Sequence, residues 1–260
     1  MLKIITTLTV FLVGMLAKAQ VTENRNTTDF SQVAVTGGIE LIYNEAPSTS
    51  LRIESNNEAT LKNVITEMNG KTLKITLKKG TEMPTGETVK VYVTANHIVA
   101  LEAHSKAKIT IEEQLNADQL DIVLDSGASL SGNIKTSGKT KLYASTGTTF
   151  NGRIEAAMLK GTFHDNARIN LTGKVKKAAF QTTDSALLCA RNFTANTIHM
   201  NANGTSVAKL HANDNIALNV TEQAKVSYVG YPEKMVLNEE AQAFNKANCQ
   251  QLVSYNDRRN

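Results

Sequence analysis

The sequence predicts an all-β chain, a parallel β-helix (β-solenoid) of about seven coils of 19–21 residues behind an irregular β segment. Three observations predict it. A motif of a small polar pair followed by a small residue recurs seven times between 99 and 228. Apolar residues stand at fixed offsets from each copy, and no stretch keeps a 3.6-residue period over three turns.

The copies are Ser105-Lys106-Ala107, Ser126-Gly127-Ala128, Thr146-Gly147-Thr148, Asp165-Asn166-Ala167, Asp184-Ser185-Ala186, Asn203-Gly204-Thr205 and Glu222-Gln223-Ala224. Their third residues are spaced 21, 20, 19, 19, 19 and 19 apart, so any bulge is expected between Ala107 and Thr148. Two positions after the motif stand Ile109, Leu130, Phe150, Ile169, Leu188, Val207 and Val226. Six positions before it stand Leu101, Ile122, Leu142, Gly161, Phe180, His199 and Leu218. Residues i and i+2 of a strand share a face, so each copy offers an inward strand, a polar corner and a second inward strand. One such coil cannot bury its apolar face alone; stacked coils turn each column into an internal ladder. Gly or Asn at four of the seven middle positions fits a left-handed backbone there. Lys106, Ser185 and Gln223 must use another turn or carry strain.

In chain order, 1–19 reads as a signal peptide: Lys3, an apolar run from Ile4 to Leu16, and a small-x-small site at Ala17-Lys18-Ala19. No Cys follows the expected cut, so no lipid anchor is expected. Residues 20–29 are polar and read as a flexible leader. Residues 30–95 form an irregular β segment that caps or extends the solenoid. Within it Phe30 to Tyr43 alternates around Gly37-Gly38, Leu51 and Ile53 mark a short strand, and Leu73–Leu77 and Val89–Val93 have period two. The solenoid occupies 96–237. A C-terminal cap and tail, with a last short strand at 251–253, fill 238–260.

The whole chain carries +4; without Lys3 and Lys18 it holds 26 basic against 24 acidic residues. Near neutrality argues against nucleic acid as a partner. No stretch of the mature chain is long and apolar enough to span a membrane. Cys189 and Cys249 make no disulfide framework; an exported chain could pair them, and the simpler reading is a buried thiol and a loop thiol.

The first motif column places Asp165, Asp184, Asn203 and Glu222 on successive coils, about 4.8 Å apart per step. Carboxylates roughly 5 Å apart serve retaining glycosidases. Ser and Thr fill the same column at 105, 126 and 146, as a turn requires and chemistry does not. The column is therefore read as a polar surface row. Ser105 and Ser126 lack a nucleophile motif. Of His104, His164, His199 and His211, none has a two- or four-residue spacing to another His or Cys. His104 and His164 share a column, but three coils separate them by roughly 14 Å. No catalytic residue, cofactor or metal is expected.

Phe30, Val33, Val35, Gly37-Gly38-Ile39 and Leu41, the repeated Ser126-Gly127-Ala128 motif, and Tyr228-Val229-Gly230-Tyr231-Pro232 resemble the exported family called putative auto-transporter adhesin, head GIN domain. The resemblance covers roughly 29–245. It implies a right-handed β-helix in the envelope of Bacteroidetes-type bacteria and no catalytic residues. The later motifs depart from Ser-Gly-Ala to Asp-Asn-Ala, Asp-Ser-Ala and Glu-Gln-Ala. No transporter barrel fits in the chain. The expectation is an exported, non-enzymatic binding or adhesion protein of the periplasm or cell surface, meeting an envelope polysaccharide or protein. A carbohydrate-active enzyme and a self-assembling scaffold are the alternatives.

Overall fold

Alternation of apolar and polar residues sends every second side chain of a strand into the core. In the computed structural model, which describes residues 20–239 and 241, this pattern produces eighteen strands and one helical turn. The expected signal peptide, Cys249, the strand at 251–253 and the tail lie outside the described residues.

The first elements are β1 (Val21–Asn24), β2 (Gln32–Val35), β3 (Glu40–Glu45), β4 (Ser50–Ser55), the single turn α1 (Glu58–Leu61), β5 (Val64–Asn69), β6 (Thr72–Leu77) and β7 (Val89–Ala95). β2 and β3 make one coil, and β6 and β7 another. They stack in parallel, with Val33 opposite Leu73 and Leu41 opposite Val91. β4 runs antiparallel on β7, and β5 antiparallel on β6. β1 is antiparallel to β4. Residues Val21–Asn24 are therefore not a flexible leader: polar as they are, their backbone groups pair with an edge that would otherwise lie open.

The remaining strands are β8 (Ala100–Ala103), β9 (Lys108–Ala117), β10 (Leu120–Leu124), β11 (Ser129–Thr136), β12 (Lys139–Ala144), β13 (Thr149–Phe163), β14 (Arg168–Thr182), β15 (Leu187–Ala202), β16 (Val207–Val220), β17 (Lys225–Val229) and β18 (Lys234–Leu237). Each strand lies parallel to its counterpart one coil away, giving a β-solenoid of about seven turns. From β13 onward one strand runs through the second corner of its coil, so β13–β16 each serve two faces. β8 and β9 lie on β2 and β3. The stack therefore reads β6–β7, then β2–β3, then β8–β9, and chain order thereafter.

The motifs are tight turns, but the column that is left-handed throughout is the first central position. Its φ is 51° at Ser105, 54° at Ser126, 53° at Thr146, 51° at Asp165, 53° at Asp184, 66° at Gly204 and 60° at Glu222. The second central residue is also left-handed at Lys106, Gly127, Gly147 and Asn166, the φ pattern of a type I′ turn. At Ser185, Thr205 and Gln223 it is not, which is the pattern of type II′. The two types differ by a flip of the central peptide. The hydrogen bonds along the corner record the flip. Lys106 N donates to Ser126 O (2.9 Å), Gly127 N to Thr146 O (2.9 Å) and Gly147 N to Asp165 O (2.8 Å), each toward the next coil. Thr205 N donates back to Asp184 O (2.8 Å) and Gln223 N back to Gly204 O (3.0 Å). No backbone bond joins the central peptides of the fourth and fifth corners.

The pairing also corrects the spacing. Leu188 stands opposite Ala208, and Ala208 opposite Val226, so the steps there are 20 and 18 residues rather than 19 and 19. The buried corner residue is Ser206, not Thr205, and the ladder residue is Ala208, not Val207. Phe180 is opposite Met200, which leaves His199 exposed. The 20-residue step comes from one extra residue in β15, where pairing jumps from Asn170↔Cys189 to Thr172↔Asn192, and the 18-residue step from a shorter β16, where pairing passes from Cys189↔Lys209 to Thr197↔Asn215. A second bulge, in β9 opposite Ser131 and Asn133, falls inside the expected Ala107–Thr148 region.

One continuous core fills the stack. Phe163, Phe180 and Phe193 follow one another with ring centroids 6.2 and 6.1 Å apart. Burying each contributes roughly 1.5–3 kcal/mol. Gly161 interrupts an otherwise apolar column because a Cβ there would lie 2.4 Å from the Phe163 ring.

Candidate functional site

Two outer regions collect charge: the corner edge formed by the motifs and the face formed by β10, β12 and the second halves of β13 and β14. The turns fix the corner edge, since each motif side chain hangs from a backbone tied to the coils beside it.

At the second corner Asp125 accepts from Ser126 N at 2.7 Å and from Ser145 Oγ at 2.9 Å. The Ser145 hydroxyl chiefly holds its carboxyl below the usual aspartate range, against the opposing effect of burial and with further hydrogen bonds from Ser126 and Thr146. His104 faces Glu102 at 3.7 Å and Asp125 at 3.9 Å. Two coils further on, His164 Nδ1 lies 2.6 Å from Asp165 Oδ2, and its Nε2 lies 2.6 Å from Tyr143 Oη. The Tyr143 and His164 rings meet edge-on at 5.1 Å. Asp184 joins from the next coil and accepts from Thr183 Oγ1 at 2.9 Å. One donor atom each of His164, Asp165 and Asp184 lies within 4.8 Å of the others.

Of the polar row Asp165, Asp184, Asn203 and Glu222, the structure brings Asp165 and Asp184 together. Glu222 turns to the backbone, its Oε2 accepting from Gly204 N at 2.8 Å. Asn203 leaves the column, because Gly204 takes its place at the corner. His211 Nδ1 lies 3.2 Å from Arg191 O. Cys189 is free and half-buried in an outward column of β15, not in the core.

The His164 cluster escaped sequence reasoning because a spacing rule for ligands within one segment cannot see neighbours one coil away. The signal was present: Asp165 and Asp184 are one 19-residue step apart, with His164 adjoining.

The face beside this edge is basic. Lys141 stands opposite Lys160, and Lys139 and Lys177 flank Met158 in register. Lys141, Lys160 and Lys177 are exposed. Lys141 pairs with Asp121 at 2.7 Å. Around the second corner Lys135, Lys174 and Lys176 line a groove of about 490 Å³ with Glu155 and Asn196. At the N-terminal end a groove of about 620 Å³ is lined by Arg25, Asn44, Arg52 and Tyr92, with the Arg52 guanidinium 4.0 Å from the Tyr92 ring centre. Among the described residues no helix is long and apolar enough to cross a membrane.

These features define a β-solenoid whose charged groups lie along outer faces and corner edges. Residues 29–232 match the family described as putative auto-transporter adhesin, head GIN domain, and the chain belongs to that family. Comparison with curated proteins finds no match. Among solved structures, an adhesin-described protein from Parabacteroides merdae is 18% identical, covers 84% of this chain and 93% of its own, and superposes with a TM-score of 0.75. One from Parabacteroides distasonis, described likewise, is 16% identical over 85% and 94%, with a TM-score of 0.73. A third, also from Parabacteroides distasonis and described as a putative lipid binding protein, is 18% identical over 84% and 94%, with a TM-score of 0.61. At these identities the likeness shows the fold.

Proposed function

We propose that this is an exported, non-enzymatic protein of the cell envelope that binds an acidic polysaccharide along its lysine face. The observation that carries the reading is the pair of adjacent register rows on a parallel sheet, Lys139 and Lys177 on either side of Met158 and Lys141 opposite Lys160. Parallel strands repeat at about 4.8 Å, so the ammonium groups form a fixed lattice that a polymer of regularly spaced carboxylates can match at several points. Exposed Tyr143 and half-buried Thr162 on adjoining positions add a ring for stacking and a hydroxyl for hydrogen bonding. Membership of an adhesin-described family supports a binding role over catalysis. The exposed corner position of Asp165 and Asp184, outside the grooves described above, supports it too.

The test is retardation of residues 20–260 in gels cast with polygalacturonate, a neutral glucan, or no polymer, with capture from envelope extract and binding to anionic vesicles in parallel. Retardation by polygalacturonate alone, weakened at least tenfold in K141Q/K160Q/K177Q and by added salt, is expected. Binding to vesicles alone would replace the polysaccharide by a lipid surface. Empty glycan and extract arms would overturn the reading.

A further inference from the structure

We propose that His164, Asp165 and Asp184 form a site for one divalent transition-metal ion, of which Zn²⁺ is the probe. The proposal does not rest on the lysine face, with which it shares only Tyr143.

The first argument is the arrangement of donors. A proton on Nε2 lets His164 donate to Tyr143 Oη and turns the Nδ1 lone pair toward the two carboxylates. Lone pairs of Nδ1 and Asp165 Oδ2 cannot face each other bare at 2.6 Å, so a proton lies between them, and it is this proton that a metal ion would displace. With a second carboxylate from Asp184 in reach, the site holds two negative charges around one imidazole. Zn²⁺ binds nitrogen and oxygen at about 2.0–2.2 Å, which asks the three donor atoms to stand about 3.3 Å apart. Nδ1 and Asp165 Oδ2 stand closer than that at 2.6 Å, and one donor atom of each of the three residues lies within 4.8 Å of the others, so small side-chain rotations reach the value. Tyr143 is the partner that fixes the ring, as outer-shell groups do at metal-bound histidines.

The second argument comes from the backbone. The corner ladder reverses direction between the fourth and fifth turns, and no backbone bond joins their central peptides, although Thr183 N donates to Phe163 O and Leu187 N to Ala167 O, tying the coils on either side. Asp165 belongs to the fourth turn and Asp184 to the fifth. The cluster thus lies where the corner lacks its backbone tie, and an ion shared by Asp165 and Asp184 would supply one. The amides of Asn166 and Ser185, on either side of the gap, make no backbone bond to a neighbouring coil and are available to the ligands' outer oxygens or to water on the ion. A nitrogen with two carboxylates suits Zn²⁺ better than Ca²⁺, which takes six to eight oxygens.

Residues 20–260, stripped with chelator, would be titrated with Zn²⁺ and separately with Ca²⁺ by calorimetry, with Co²⁺ followed by its visible absorption. One Zn²⁺ per chain is expected. D165N, D184N and H164Q should each weaken it at least tenfold and remove the Co²⁺ absorption, while Y143F weakens it less. Asn tolerates the left-handed corner, so D165N and D184N keep the turn, and circular dichroism checks that they do. H104Q alters the other corner histidine and should bind as the parent does. No stoichiometric Zn²⁺ binding, binding untouched by the three substitutions, or binding of Ca²⁺ in place of Zn²⁺ would each overturn the site.

Discussion

Thr148 shows how one residue departs from its column. Ala107, Ala128, Ala167 and Ala186 fill the equivalent buried positions, yet Thr148 places a hydroxyl there with no hydrogen-bond partner. A buried hydroxyl left unpaired costs about 1–3 kcal/mol. Thr148→Val keeps the shape and removes the penalty, so urea unfolding should show it more stable by about 1 kcal/mol. Lys106 is the second case. Its φ of 64° lies in the region that costs a non-glycine residue about 1–2 kcal/mol. Lys106→Gly removes that strain and adds back roughly 0.5–1 kcal/mol of chain entropy. A net gain of about 0.5–1 kcal/mol is expected in the same assay, and a loss would mean that the neighbouring coils relieve the strain. Strain at Lys106 was legible from the motif alignment. The universal left-handedness of the first column was not, because Ser, Thr, Asp and Glu there carry no glycine-like signature.

At the scale of elements, the strands were legible wherever alternation was clean, and register was not legible where small residues adjoin. Thr205 and Ser206 both suit a corner, and Val207 and Ala208 both suit a ladder. The choice falls to the bulge in β15, which no residue between Ala190 and Asn192 announces. The metal cluster inherits the same difficulty, since its members come from two coils. The N-terminal layers were less legible still. β2 and β3 alternate like any hairpin, and nothing in their residues says that each pairs with strands on both sides, decades of residues later. Tyr43 helps bind these layers: its buried hydroxyl donates to Ala95 O at the end of β7 at 2.9 Å. Burial raises its phenol well above the usual tyrosine range, aided by Glu45. Tyr43→Phe should cost about 0.5–1.5 kcal/mol. Hydrogen exchange should quicken in β3 and β7 first, and an even rise across the stack would contradict this local role.

Taken whole, the molecule is nearly one-dimensional between β8 and β17: each coil touches only those beside it. The register Met158↔Lys177 makes 158–176 one removable coil. Deleting those 19 residues, joining Ala157 to Lys177, should leave a folded β protein. Its urea m-value should fall by roughly a tenth, in step with the surface removed. Loss of the β signal in circular dichroism would show that the coils are less interchangeable than their pairing suggests.

The N-terminal end obeys no such arithmetic. The coil β2–β3 is made first, but it sits between two layers that follow it in the chain, β6–β7 and β8–β9. A nascent chain emerging from its N-terminus must therefore hold this coil with both edges vacant until β7 ends at Ala95, and with one edge vacant until β9 has passed Ile111. Stacking therefore cannot travel from the first coil in simple chain order, whereas among β13–β16 neighbours in space are neighbours in sequence and close the shortest loops. The first coil is thus made before either layer that covers it, and that interval is when its open edges are most exposed to other chains.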